Sequence, residues 1–235
     1  MVRNKRVRSQ NKERYHGPLI ASGVQLSYIK VYPWINLAPC IFFYFTAGFG
    51  DSIGVIKGIL GVCILINLIS ITCSLLMKWL KISSQLIYLL IALFTTTTLI
   101  WTDFLGLIMV VANGQSLNAN SFYQSLPAFM YTCLLVTLFV GMIFVYSYFY
   151  RRDSRTNGAY RDIEARFNTW DNSLLKRFSS NFWIIIGLVF LVPSFLTGFL
   201  QTLFGFSLGI LLTLIFPAVI VDAFYAAIYE RKKQL

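Results

Sequence analysis

Apolar residues form six long runs, and polar residues are confined to the segments between them. A helix needs about 20 apolar residues to cross a hydrocarbon layer about 30 Å thick, because each residue rises about 1.5 Å. The pattern therefore predicts an all-α polytopic membrane bundle of six transmembrane helices in a single integral membrane domain. The predicted spans are 32–49, 53–77, 86–112, 126–150, 182–200 and 206–229, after a basic tail over residues 1–30.

The one long polar segment between the first and last runs covers residues 151–181. Its bulky residues recur at steps of three and four, which is typical of one face of a helix. They are Tyr160, Ile163, Phe167, Trp170, Leu174, Phe178 and Phe182. The segment predicts a cytoplasmic amphipathic helix between spans four and five. Such a helix suits the membrane surface or a groove on a partner protein, with Phe167 and Trp170 as candidate docking residues. We favour a helix lying flat against its own bundle.

Charge is sparse and unevenly placed. Only 12% of residues are charged, yet the net charge is +11. The segments around residues 50–52, 113–125 and 201–205 contain no Lys or Arg, whereas the alternate segments and both termini are basic. This alternation follows the positive-inside rule and predicts N-in, C-in topology with the insert in the cytoplasm. Basic ends attract anionic lipid headgroups, so the charge indicates a lipid bilayer partner rather than nucleic acid.

Several polar residues lie inside the runs and are candidates for transport or for packing: Lys57, Thr95, Thr98, Asp103 and Asp222. Intramembrane acids are costly and usually face the bundle interior or a wet cavity. Lys57 and Asp103 fall at similar depths on adjoining helices, so we predict an ion pair that fixes helix register. For Asp222 the first expectation is a basic partner near the cytoplasmic end; bonding to Tyr225 or Tyr229 and lining an inner vestibule are alternatives. Threonine hydroxyls in this run are expected to bond to carbonyls one turn back.

Small residues and prolines mark close contacts and bends. Gly54 and Gly58 are four residues apart, as are Gly205 and Gly209, a spacing that lets helices approach closely and could also serve a protein partner. Pro193 and Pro217 lie near the centres of spans five and six and are predicted to act as hinges. The segment 201–205 is predicted to be a tight turn between those spans.

Recognisable catalytic chemistry is missing from the sequence. Each of the four cysteines falls inside an apolar run without metal-ligand spacing, and the only histidine is His16 in the tail. No Walker loop or nucleophile motif occurs. We therefore expect no enzyme activity, catalytic residue, cofactor or metal.

The sequence favours a small permease, or the membrane subunit of a transporter complex energised by another chain. Six spans, central prolines and buried acids support this by fold-level analogy alone. The alternative is a non-transporting membrane assembly, scaffolding or immunity factor that uses its spans for packing. A bacterial cell membrane is the favoured location. In a eukaryote, Lys232 and Lys233 would resemble a retrieval signal of the endoplasmic reticulum.

Overall fold

The computed structural model describes residues 24–46, 54–80, 83–111, 125–156 and 198–234. These residues contain α-helices, one short 3-10 helix and no strand, so the predicted all-α class is confirmed for this part of the chain. The 3-10 helix is Leu26–Lys30, and the α-helices are α1 Tyr32–Thr46, α2 Val55–Leu80, α3 Ser84–Val111, α4 Leu126–Thr156 and α5 Phe199–Gln234.

Four of these helices are long and apolar enough to cross a membrane. The qualifying stretches are Val55–Met77, Ser84–Val111, Leu126–Arg152 and Phe199–Arg231. The described part of α1 has 15 residues and is not among these four. The described helices thus have the composition and length of an integral membrane protein.

The turn predicted at residues 201–205 is wrong, because α5 runs without interruption from Phe199 to Gln234. The helix instead begins just after Gly198, whose φ of 62° lies in the left-handed region that favours glycine. Gly205, which was assigned to the turn, packs inside the bundle instead. The insert beyond residue 156 and most of the predicted fifth span lie outside the described residues, as do Phe167, Trp170 and Pro193.

The side-chain contacts define the direction of each helix. α3 and α5 are antiparallel, since Ile87 clusters with Ile220 at one end and Gly106 meets Gly205 near the other. α4 is antiparallel to α3 and therefore parallel to α5. Accordingly, Thr156 at the end of α4 and Gly198 at the start of α5 lie at opposite ends of the bundle.

The chain before α1 is built into the core rather than lying outside it. Val24 and Ile29 are buried and pack in one cluster with residues of α3 and α5, including Ile91 and Ala223. Lys30, Arg151 and Arg231 mark the same end of the bundle. The 3-10 helix therefore closes the basic end of the α3–α5 pair.

Candidate functional site

Three glycines and one tyrosine bring α3, α4 and α5 together. A Cβ atom added at Gly205 would lie 2.8 Å from the carbonyl oxygen of Gly106, so the two backbones are already in contact. The Tyr131 hydroxyl of α4 fills the space that a side chain at Gly106 or at Gly209 would need. Close backbone approach of this kind is the usual purpose of small residues in membrane helices.

Asp103 lies at this junction, inside a helix that is long and apolar enough to cross a membrane. It is eight residues before Val111, the last residue of α3, which places it about 12 Å from that end. Its Oδ2 accepts a long hydrogen bond of 3.4 Å from the Thr213 hydroxyl of α5. Its Oδ1 is buried and has no hydrogen-bond partner among the described residues. The Tyr131 hydroxyl donates to the Asp103 backbone carbonyl at 3.2 Å. One carboxylate oxygen is thus left available inside the bundle.

The helix that faces Asp103 contains a backbone irregularity. Pro217 lies within α5, four residues after Thr213. Proline has no N–H, so the carbonyl of Thr213 lacks its usual helical donor. Thr213 therefore offers both a hydroxyl and a carbonyl that is not committed to the helix.

The predicted ion pair between Lys57 and Asp103 is wrong. The Asp103 carboxylate has Thr213 on α5 as its described partner, whereas Lys57 lies on α2 and its side chain is exposed. The two residues were expected to meet because they have similar depths. They do not meet, because the rotation of α3 about its axis turns Asp103 towards α5 and away from α2.

Asp222 joins three separate elements at the basic end. It is fully buried. Its Oδ2 accepts the backbone N–H of Val24 at 2.7 Å, and its Oδ1 accepts the Tyr150 hydroxyl at 2.5 Å. Neither partner was expected. The predicted pairing of Asp222 with a basic residue of the insert involves residues that lie largely outside the described ranges. Asp222 therefore ties the segment before α1 and the end of α4 to α5.

A third polar cluster joins α1 and α2 to the threonine run of α3. The expected hydrogen bonds from threonine hydroxyls to carbonyls one turn back are confirmed. Thr95 donates to Ile91 O at 2.7 Å, and Thr98 donates to Phe94 O at 3.0 Å. The buried Asn36 amide donates to Thr98 Oγ1 at 2.6 Å and to Phe94 O at 3.1 Å. It also accepts from Trp101 Nε1 at 3.4 Å. The cluster thereby couples α1 to α3.

Asn67 couples α2 to α3 in the same way. Its fully buried amide donates to Thr97 Oγ1 at 3.0 Å and to Cys63 O at 2.8 Å. Bonds of this kind between helices commonly hold membrane bundles together. The Asn67 Oδ1 atom, like Asp103 Oδ1, is buried without a hydrogen-bond partner among the described residues. The other bonds of Asn36, Asn67 and the threonines join α1, α2 and α3, so the cluster contributes to packing.

Replacement of Asn36 by Leu should loosen α1 from α3. Interhelical hydrogen bonds in membranes contribute on average about 0.6 kcal/mol and at most about 1.7 kcal/mol each. The loss of the Asn36 bonds to Phe94, Thr98 and Trp101 is then expected to cost about 1–3 kcal/mol in unfolding free energy. Equilibrium unfolding in mixed micelles measures this loss. Thr72→Val is the control, because the exposed Thr72 hydroxyl bonds only to Leu68 O on its own helix. Equal stability of the two variants would contradict the assignment.

A groove between α2 and α3 does not reach either acid. Its volume is about 400 Å³, and its lining includes Gly58, Val62 and Thr96 but neither Asp103 nor Asp222. Within the described ranges no group of three His, Cys, Asp or Glu side chains is placed to hold a metal ion. Asp103 with Thr213 is therefore the candidate site that the described chain provides for a small cation or proton.

The described helices are compatible with an integral membrane protein, and two of them carry an acid inside the bundle: the half-buried Asp103 and the fully buried Asp222. Comparison with protein-family models, with curated proteins and with solved structures found no match.

Sequence reasoning identified the two acids but missed their partners. Tyr131 and Thr213 stand within apolar runs, and Tyr150 is one of several aromatic residues at the basic end of another run, so no local signal marks them as partners of the acids. Asn36 could have been noticed as the one amide in the first run. The interaction of Val24 uses its backbone, which no side-chain pattern reveals.

Proposed function

We propose that the protein is a small transport protein: a permease, or the membrane subunit of a transporter energised by another chain. In this proposal Asp103 binds a proton or a monovalent cation during transport. The observation that carries the proposal is the buried Oδ1 of Asp103, which has no described hydrogen-bond partner. An ionised carboxylate in that position is costly, so it favours a bound proton or cation.

The surroundings of Asp103 support this assignment. Thr213 supplies a hydroxyl to Oδ2, and Pro217 leaves the Thr213 carbonyl without its helical donor. A carboxylate, a hydroxyl and a carbonyl are the oxygen groups that small cations prefer.

The parallel direction of α4 and α5 supports six crossings with both termini in the cytoplasm. If both helices span the bilayer, the chain must cross once more between them. Lys30, Arg151 and Arg231 lie at one end, and by the positive-inside rule we propose that this end is cytoplasmic. We further propose that the protein lies in a bacterial cell membrane, where Lys232 and Lys233 are only the basic residues that follow the last span. Phe167 and Trp170 remain the proposed docking residues for an energising partner, and no catalytic residue is assigned.

Charge movement tests the role of Asp103 without knowledge of the substrate. Protein in liposomes on a solid-supported membrane should give a transient current after a pH or Na⁺ step, which protein-free liposomes lack. Asp103→Asn should abolish it, because the amide binds neither a proton nor a cation as a carboxylate does. Asp222→Asn is the matched control that removes the other intramembrane acid, and it should keep the current. An unchanged signal from Asp103→Asn, or none from the wild type, would exclude the proposal.

A second candidate is a membrane scaffold. It is favoured by Asp222, whose described bonds to Val24 and Tyr150 hold the fold together. A scaffold predicts no charge movement in the same experiment, together with a folded Asp103→Asn variant that keeps its assembly partners.

A further inference from the structure

We propose that Cys40 and Cys63 form a redox site, at which an organic hydroperoxide oxidises the two thiols to a disulfide that joins α1 to α2. This site is separate from Asp103 and does not depend on the transport proposal. Three features of the molecule support it: two thiols from different helices are in contact, an apolar groove reaches one of them, and the surroundings favour a neutral product.

The two thiols meet where α1 and α2 pack together. Both cysteines are free and buried, with exposures of 0% for Cys40 and 1% for Cys63. Their side chains are hydrogen-bonded to each other. The contacts on either side agree with antiparallel helices: a Cβ at Gly61 would lie 3.8 Å from the Tyr44 ring, and Asn67 Nδ2 lies 4.0 Å from Cys40 Sγ. The packing of α1 on α2 therefore brings the two thiols together.

The groove between α2 and α3 gives an apolar oxidant access to Cys63. Cys63 is among its lining residues, whereas Cys40 is not, and the lining residues Val62 and Leu93 are exposed. Cys63 comes eight residues after Val55, the first residue of α2, which places it about 12 Å along the helix. A polar oxidant enters apolar surroundings at a cost, whereas an organic hydroperoxide carries a hydrocarbon body. Cys63 is therefore the thiol that is oxidised first.

One hydroperoxide is enough for the complete reaction. The Cys63 sulfur attacks the terminal peroxide oxygen, the O–O bond breaks, and the Cys63 proton passes to the departing alkoxide, which leaves as an alcohol. The Cys40 sulfur then attacks the sulfur of the Cys63 sulfenic acid. The S–S bond forms, and the hydroxyl group leaves with the Cys40 proton as water. The two thiols lose two electrons, which the O–O bond accepts.

The surroundings favour a disulfide over a bound metal ion. Both thiols belong to an apolar cluster with Phe43, Trp101 and Phe104. Two thiolates that hold a soft monovalent cation would keep a negative charge in this cluster, which is costly, whereas a disulfide is neutral. Zinc needs at least three protein ligands, and the described part of the chain has no three His, Cys, Asp or Glu side chains placed together.

The test uses full-length protein in nanodiscs, with cumene hydroperoxide as the oxidant. Mass spectrometry of unreduced peptides should find a disulfide between Cys40 and Cys63, and dithiothreitol should remove it. Cys133 is the internal control, because its side chain is exposed on α4, and it should form no disulfide within the chain. Oxidation should also raise the melting temperature, since a disulfide restricts the unfolded chain.

Cysteine variants separate the thiol that is attacked first from the thiol that completes the bond. In Cys40→Ser the Cys63 sulfenic acid has lost its second thiol and should accumulate, so that dimedone added during denaturation labels Cys63. In Cys63→Ser the thiol at the groove is gone, and Cys40 should stay reduced. Neither variant should gain melting temperature on oxidation. Matching melting temperatures of the unoxidised variants and the wild type would exclude misfolding as the cause.

Glycine variants test the route through the groove. A Cβ at the lining residue Gly58 would meet nothing within 4 Å, so Gly58→Leu can fill part of the groove and should slow disulfide formation. Gly141→Leu is the matched control, because Gly141 on α4 also has open space around a Cβ and does not line the groove.

Three results would overturn the proposal. The first is free thiols at Cys40 and Cys63 after Cys133 has been oxidised. The second is a disulfide that forms only after the protein has been unfolded. The third is equal oxidation rates of Gly58→Leu and Gly141→Leu, which would exclude the groove as the path of the oxidant.

Discussion

Replacement of Gly205 by Val should cost more stability than any other single glycine substitution in α5. Even an Ala Cβ at Gly205 would lie 2.8 Å from Gly106 O, 3.0 Å from Met109 Cβ and 3.1 Å from Val110 Cγ2. All three atoms belong to α3, and one is backbone, so the helices must separate to admit a side chain. Overpacking typically costs about 1–3 kcal/mol, and separating α3 from α5 adds the contacts of Tyr131 to that loss.

The melting temperature of the purified protein and its size-exclusion profile measure this effect. Gly141→Val is the matched control: it adds the same side chain to a membrane helix where a Cβ meets nothing within 4 Å. Gly205→Ala should be intermediate. Gly209→Ala should be partly rescued by Tyr131→Leu, since the Tyr131 side chain is what it meets. A Gly205→Val protein as stable as Gly141→Val would refute the α3–α5 contact.

Replacement of Asp222 by Leu should release the segment before α1 from the bundle. The substitution leaves the Val24 N–H and the Tyr150 hydroxyl without their acceptor, at a cost of about 1–3 kcal/mol for each buried group. Val24 and Ile29 are buried only while that segment stays in place. Amide hydrogen exchange over residues 24–30 should therefore accelerate much more than exchange in α3.

Graded variants separate the charge from the hydrogen bonds. Asp222→Asn keeps one acceptor oxygen for the Val24 N–H and should have a smaller effect than Asp222→Leu. Tyr150→Phe removes a single donor and should leave Val24 protected. If Asp222→Leu left exchange at residues 24–30 unchanged, the segment would be held by apolar packing alone.

The difference between the two acids explains their different roles. Asp222 has a described donor at each oxygen, whereas Asp103 has one long bond and one oxygen without a partner. Buried polar groups are normally satisfied, and an exception in a membrane helix is a candidate for function. Position in the sequence does not distinguish them, because each is a lone acid near one end of an apolar run. The distinction depends on neighbours from other helices.

Sequence periodicity located α2, α3 and α4 closely because long apolar runs have few alternative structures in a membrane. It failed at residues 201–205, where Gln201 and Thr202 interrupt the apolar pattern without ending the helix. A helix satisfies its own backbone, so two polar side chains at half-buried positions are tolerated. The predicted close approach at Gly205 and Gly209 is confirmed, because Gly205 meets the Gly106 carbonyl and Gly209 meets Tyr131.

By itself the sequence determined that the chain is helical, that its helices suit a lipid bilayer, and that its cations gather at alternate segments. These properties depend on the summed hydropathy and charge of many residues, so single contacts hardly affect them. The tertiary structure alone decided that Asp103 faces Thr213 rather than Lys57, and that Asp222 binds a backbone N–H 198 residues away. Such partners depend on how each helix is rotated and packed, which a pattern along one helix does not contain.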